Sequence, residues 1–194
     1  MRKEGKARVL DEKEVKRLFA VAKNAQMPER NVAMLALSFG LGLRAKEIAS
    51  LKISDVIDER GKLREEICLR CAVTKGEKQR FAYLSNQGVI KKITPYLKTI
   101  TTTNIDNPLF LTQRNSKFTP DSMQKWFKRL YIEAGIEGAS SHSGRRTYIT
   151  RLIEQGVDIK AVSHLAGHSS ILTTSIYIED NPKRLKRIAA TVNI

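Results

Sequence analysis

The stretch Ala166-Gly-His-Ser-Ser-Ile-Leu-Thr-Thr-Ser-Ile-Tyr177 puts a histidine just past a helix-ending glycine, with a tyrosine nine residues further on. A second cluster, Ser141-His-Ser-Gly-Arg-Arg146, precedes it by about the length of two short helices. Together they direct two histidines, an arginine and a tyrosine toward what reads as one phosphate. His168 belongs to a turn, and Tyr177 falls within or just after a short helix opened by Ser169-Ser170. Its neighbours Thr173, Thr174, Ser175, Glu179 and Asp180 are polar, whereas Tyr83, Tyr96, Tyr131 and Tyr148 read as core residues. His164 reads as plain structure or a solvent-facing side chain.

The chain has 194 residues, enough for one domain with a real core. With 35 Lys+Arg against 20 Asp+Glu it carries a net charge of +15. Such an excess points to a polyanion, because neutralising phosphates releases condensed counterions. An anionic membrane surface would call for a basic amphipathic helix or a lipidation signal. Neither is evident, no apolar run approaches a membrane span, and Met1-Arg-Lys-Glu lacks the apolar core of a signal peptide. The expected location is therefore the cytoplasm, with Cys68 and Cys71 as reduced thiols. A strand over Glu65 to Val73 sends those two sulfurs to opposite faces, so they do not chelate one metal.

The order along the chain is mostly helical. Asp11 opens a capping box with Glu14, and Val15, Leu18, Phe19 and Ala22 make one apolar face. A second helix presents Val32, Leu35, Ala36 and Phe39 and runs into Gly40-Leu-Gly-Leu-Arg44, and a short third carries Glu47. The period then changes to two, with a hairpin whose second strand, Gln79 to Leu84, sets Phe81 and Tyr83 on one face. Its connection holds Lys75. Later helices present Val89, Ile90 and Ile93, with Pro95 expected to end or kink that helix. Next come Met123, Trp126, Phe127, Leu130 and Tyr131 behind Thr119-Pro120, then Tyr148, Ile149, Leu152 and Ile153, then a helix capped by Asp158. The loop from Thr99 to Asn107 is the expected flexible region.

Arg44 follows two glycines, where backbone approaches a ligand closely and a guanidinium projects into a cleft. Its planar fork suits a phosphate, although Gly-Leu-Arg by itself favours an arginine that simply begins a helix. His142 and Arg145, three apart at a helix start, share a face near a terminus that attracts anions. A capping histidine with a solvated arginine explains that pair equally well.

In combination, these motifs resemble the catalytic domain of the tyrosine recombinases, the phage integrase family, over nearly the whole chain. Gly42-Leu-Arg44-Ala-Lys-Glu47-Ile is similar to the family's first-arginine box, with Glu47 at its acidic position. Lys75 resembles the hairpin lysine, His142-x-x-Arg145 the second box, and Gly167-His168 followed by Tyr177 the third. The resemblance implies a mainly α fold with a small antiparallel β-sheet, the DNA breaking-rejoining enzyme fold. It also implies a metal-free, cofactor-free phosphoryl transfer on double-stranded DNA through a 3′-phosphotyrosyl intermediate. Tyr177 would be the nucleophile, Arg44 and Arg145 the holders of the non-bridging oxygens, and Lys75 the general acid. His142 would assist proton transfer at the tyrosine, His168 would hydrogen-bond the phosphate, and Glu47 would support the site. The runner-up functions are a catalytically silent DNA-binding accessory protein and type IB topoisomerase-like strand relaxation. An RNA-binding domain fits the charge and leaves the motifs unexplained.

Arg146 stands where the family often has histidine, Ala166 where leucine is usual, and Gly144 is expected to loosen its turn. The expected division is a basic arm over residues 1–10, the catalytic domain over 11–180, and a basic amphipathic tail over 181–194. The family's helical N-terminal domain, which completes a clamp around DNA, is expected to be missing from residues 1–194. In the tail, Leu185, Ile188, Ala189 and Val192 recur at helical spacing. The pattern predicts a short helix that docks on a neighbouring protomer, giving self-association on DNA, with packing on the parent domain as the alternative.

Overall fold

A computed structural model describes residues 7–69 and 79–179, together with 186, 189 and 190. Helix α1 (Glu12–Asn24) starts at the Asp11 capping box: Glu14 N–H donates to the Asp11 carboxylate at 2.8 Å, and Asp11 N–H to the Glu14 carboxylate at 3.1 Å. The folded body begins slightly earlier. Leu10 is buried and its N–H donates to Thr147 Oγ1 at 3.0 Å, while Arg8 pairs with Glu14 at 2.6 Å.

Helix α2 (Pro28–Leu41) is buried on every side from Arg30 to Phe39. The four-residue apolar face expected from its periodicity is thus too narrow, because α2 is the central helix of the fold. Around it pack α1, α3 (Ala45–Ser50), α4 (Gln87–Leu97) and α6 (Ser143–Glu154). A helix surrounded by others can be apolar all round, which blurs the amphipathic signal. Gly144 does not loosen α6. A Cβ there would lie 2.2 Å from Ser38 Oγ and 3.1 Å from the Phe39 ring, so the glycine lets α6 sit directly against α2.

Strands β1 (Glu66–Leu69) and β2 (Arg80–Tyr83) form an antiparallel pair with Leu69 opposite Arg80 and Ile67 opposite Ala82. Ile67, Leu69, Arg80 and Ala82 face inward. Phe81 and Tyr83 take the outer face, 42% and 46% exposed, so Tyr83 is not the core residue expected. Alternation along a strand gives the inner positions to the other two residues.

Helix α4 runs through Pro95 to Leu97 rather than ending there. Pro95 is on the exposed side of the helix, and Ile93 and Tyr96 hold the inner side. The loop from 99 to 107 is pinned. Asn107 and Ile105 carbonyls accept from Ile53 and Ser54 N–H at 3.0 and 2.7 Å. Helix α5 (Pro120–Glu133) has the expected Thr119 cap and buries Met123, Trp126, Phe127, Leu130 and Tyr131. Helices α7 (Ile159–Ala166) and α8 (Leu172–Glu179) complete the domain against α6. Among the described residues no helix is long and apolar enough to cross a membrane.

Candidate active site

Helix α2 ends at Gly42 in the left-handed region (φ 63°), and the turn delivers Arg44 as the N-cap of α3. Glu47, one turn on, is fully buried, and its carboxylate accepts four N–H groups. Oε1 accepts from Arg44 Nη1 at 2.7 Å and Arg80 Nε at 3.1 Å, and Oε2 from Arg44 N–H at 2.7 Å and Arg80 Nη2 at 2.6 Å. That saturates the acceptor sites of a carboxylate. Burial alone would push the Glu47 carboxyl up. The Arg80 hydrogen bond and the Arg80 and Arg44 charges outweigh it and hold the group below the ordinary range.

Three successive carbonyls at the C-terminal end of α7 each receive a different arginine. Leu165 O accepts from Arg80 Nη1 at 3.1 Å, Ala166 O from Arg145 Nη2, and Gly167 O from Arg44 Nη2 at 3.4 Å. The cationic side chains thereby meet the negative end of a helix dipole and carbonyls left over by the helix end. Arg145, in the first turn of α6, is only 5% exposed and also donates to Gly42 O at 3.0 Å. Burial and the Arg44 and Arg80 charges press its guanidinium down to about 9, so it remains charged at neutral pH.

His168 follows Gly167 directly. Its Nδ1 is 2.7 Å from the hydroxyl of Thr174, which is fully buried on α8. Burial and the charges of Arg145, Arg44 and Arg80 press the His168 imidazole down to about 4, so it is neutral at pH 7. Its ring stacks on Tyr177, with centroids 6.2 Å apart and planes 18° from parallel. The Arg146 guanidinium lies 5.5 Å from the centroid of the same tyrosine ring. The structure therefore brings together Arg44, Glu47, Arg145, His168 and Tyr177 from three helices and one turn.

His142 is the exposed N-cap of α6, one turn ahead of Arg145, with its N–H donating to Ser140 Oγ at 3.3 Å. Lys75 and Cys71 lie outside the described residues, as does most of the 181–194 tail. Lys186, Ala189 and Ala190 are described there and are exposed. Arg80 and Thr174 escaped sequence reasoning. Arg80 had one available signal, as a charge alternating onto the strand face that carries Ala82 rather than the one that carries Phe81 and Tyr83.

Three guanidiniums against one carboxylate leave a positive excess beside a neutral histidine and a tyrosine hydroxyl. Such a site holds an anion and favours a state in which further negative charge develops on it.

The model of the phage integrase family matches residues 8–184. The tyrosine recombinase XerD of Oceanobacillus iheyensis is 32% identical over 183 residues, covering 92% of this chain and 59% of the relative. The tyrosine recombinase XerA of Pyrococcus furiosus is 32% identical over 189 residues, covering 95% of this chain and 62% of the relative. The chain thus spans about three fifths of the length of these relatives. A crystal structure of XerA recombinase superposes with a TM-score of 0.78 at 27% identity, covering 98% of this chain and 67% of that one. Motif order, the arginine and tyrosine cluster and the match over residues 8–184 lead to one conclusion: the chain belongs to the phage integrase family.

Proposed function

We propose that this domain is the catalytic part of a site-specific DNA recombinase. It cleaves and rejoins double-stranded DNA without metal or cofactor, and it acts in the cytoplasm. The observation that carries the reading is the stacking of Tyr177 on His168 beside two arginines that converge on the carbonyls of Ala166 and Gly167. Tyr177 oxygen attacks the scissile phosphorus, the bond to the 5′-oxygen breaks, and a 3′-phosphotyrosyl link forms with release of a 5′-hydroxyl. One phosphate ester replaces another, so the bond energy is conserved and the reverse reaction reseals the strand. Arg44 and Arg145 exchange carbonyl contacts for the non-bridging oxygens and stabilise the charge on the pentacoordinate phosphorus. His168, held by Thr174, donates a hydrogen bond to the phosphate. His142 takes part in proton transfer at the tyrosine, and Lys75 protonates the departing 5′-oxygen. Glu47 is the support behind Arg44.

The net charge of +15 supplies the sequence-independent attraction to DNA. The catalytic unit begins with Arg8 and Leu10, which pack on it, and runs to about residue 180; the residues before it contribute a basic lead-in, and the 181–194 tail links protomers on DNA. Deleting residues 183–194 is expected to abolish assembly on DNA in a sizing experiment, and unchanged assembly removes that part of the proposal.

A nicked suicide duplex carrying the cognate site tests the chemistry. Wild type is expected to give a covalent protein–DNA adduct and Tyr177→Phe none. Equal adduct from both rules out Tyr177 as nucleophile, and no adduct from wild type favours a silent DNA-binding protein. Relaxation of a plasmid that lacks the site identifies topoisomerase-like action instead.

A further inference from the structure

We infer that Arg80 is a positioning residue of the site. Its buried guanidinium locks Glu47, and through it Arg44, against the C-terminal turn of α7 from which His168 projects. The lock stands on geometry, and its consequence for catalysis rests on the recombinase reading.

Arg80 is 7% exposed and all three of its nitrogens are committed. Nε and Nη2 go to Glu47, and Nη1 goes to Leu165 O. Its bidentate Nε/Nη2 edge is spent on Glu47, and its side chain is 7% exposed against 14% for Arg44. Its stem interlocks with the turn as well. A Cβ on Gly167 would lie 2.1 Å from Arg80 Cδ and 2.9 Å from Nε, so the glycine leaves the space that the arginine fills. A lysine reproduces the charge but not the fork that spans a carboxylate and a carbonyl at once.

The position itself argues for a role beyond stability. Arg80 occupies the inner face of β2 beside Ala82 and opposite Leu69, where an apolar residue would pack without desolvating a charge. It is also the first residue of β2, so the same side chain anchors one end of the connection that contains Lys75. One guanidinium thus ties together the first arginine, the histidine turn and the base of the lysine hairpin.

Arg80→Lys and Arg80→Met test this in two independent ways. In the free protein, Gly167 N–H donates to His164 O at 2.9 Å and His168 N–H to Ser163 O at 3.0 Å. Hydrogen exchange at these two amides is expected to accelerate roughly tenfold or more in both variants, with the α2 amides unchanged. Wild-type rates at the turn in both variants overturn the lock. If the Met variant loses its fold, which acceleration in α2 reveals, the Lys variant decides alone.

With saturating suicide DNA, adduct formation is expected to slow on the order of 10- to 100-fold, as when a support behind a metal ligand is removed, at nearly unchanged DNA affinity. The loss should shrink on a duplex with a methylphosphonate at the scissile position, where the non-bridging charge that Arg44 would hold is absent. Equal losses on both substrates, or no loss, overturn the positioning role. Absence of adduct from wild type itself is failure of the recombinase reading, and the exchange rates then decide the lock alone.

Discussion

Replacing Glu47 by Gln keeps the shape of the side chain and removes its charge. The carboxylate accepts four N–H groups, two on each oxygen. A glutamine retains one acceptor oxygen and turns an NH2 toward the other two donors. Two charge-associated hydrogen bonds are lost, each worth about 1.5–3 kcal/mol. Arg44, Arg80 and Arg145 are also left without a buried counter-charge, and breaking such a pair costs about 3–5 kcal/mol. These two routes converge on a destabilisation of about 3–5 kcal/mol. For a domain of this size, where 1 kcal/mol moves Tm by roughly 2–4 °C, the drop is roughly 6–20 °C.

The effect has a pH signature. Glu47 has a depressed folded-state pKa, so its contribution is fully present above the ordinary glutamate value of 4.5 and is lost as pH falls through the lower folded value. Calorimetric or circular-dichroism melts of both proteins from pH 7 down to the lowest pH at which wild type stays folded should show the gap closing only in acid. A Tm within about 2 °C of wild type at pH 7, or a gap indifferent to pH, refutes the reasoning.

Other outcomes follow from the same geometry. Gly144→Ala forces a methyl to within 2.2 Å of Ser38 Oγ and should destabilise the domain by about 1–3 kcal/mol in urea unfolding, with part recovered by adding Ser38→Ala. Full stability of the single variant contradicts close packing of α6 on α2. His168 should titrate near pH 4 by NMR. Because its folded value is depressed, its contribution to stability is complete above about 6.5 and fades as pH falls toward 4. A midpoint near 6.5 would falsify its burial among the arginines. Non-specific DNA affinity should fall steeply with salt, each neutralised phosphate adding roughly −0.9 to the log–log slope, so a slope shallower than about −3 argues against a charge-driven interface.

Features whose causes are local were legible from the chain alone. The Asp11 and Thr119 caps, the helix end at Gly167 and the alternation of the two strands each depend on a few consecutive residues, and all are present in the fold. The order of Arg44, Glu47, Arg145, His168 and Tyr177 marks the candidate site in the sequence itself, because side-chain chemistry at set intervals survives translation into space. Burial and long-range pairing were not legible. Helix α2 read as one-sided because a residue's neighbours on other helices leave no trace in its own periodicity. The loop from 99 to 107 read as loose because its partners at Ile53 and Ser54 are some fifty residues away in sequence.

The site divides in the same way. The sequence by itself determined which groups are available and that one chain segment carries a histidine and a tyrosine behind a glycine turn. Only the tertiary structure decided that three arginines from three elements end on three consecutive carbonyls at the C-terminal end of α7, with Glu47 holding two of them. That arrangement depends on packing α3, β2 and α6 around one helix end, and no local rule of sequence encodes the meeting of segments more than a hundred residues apart.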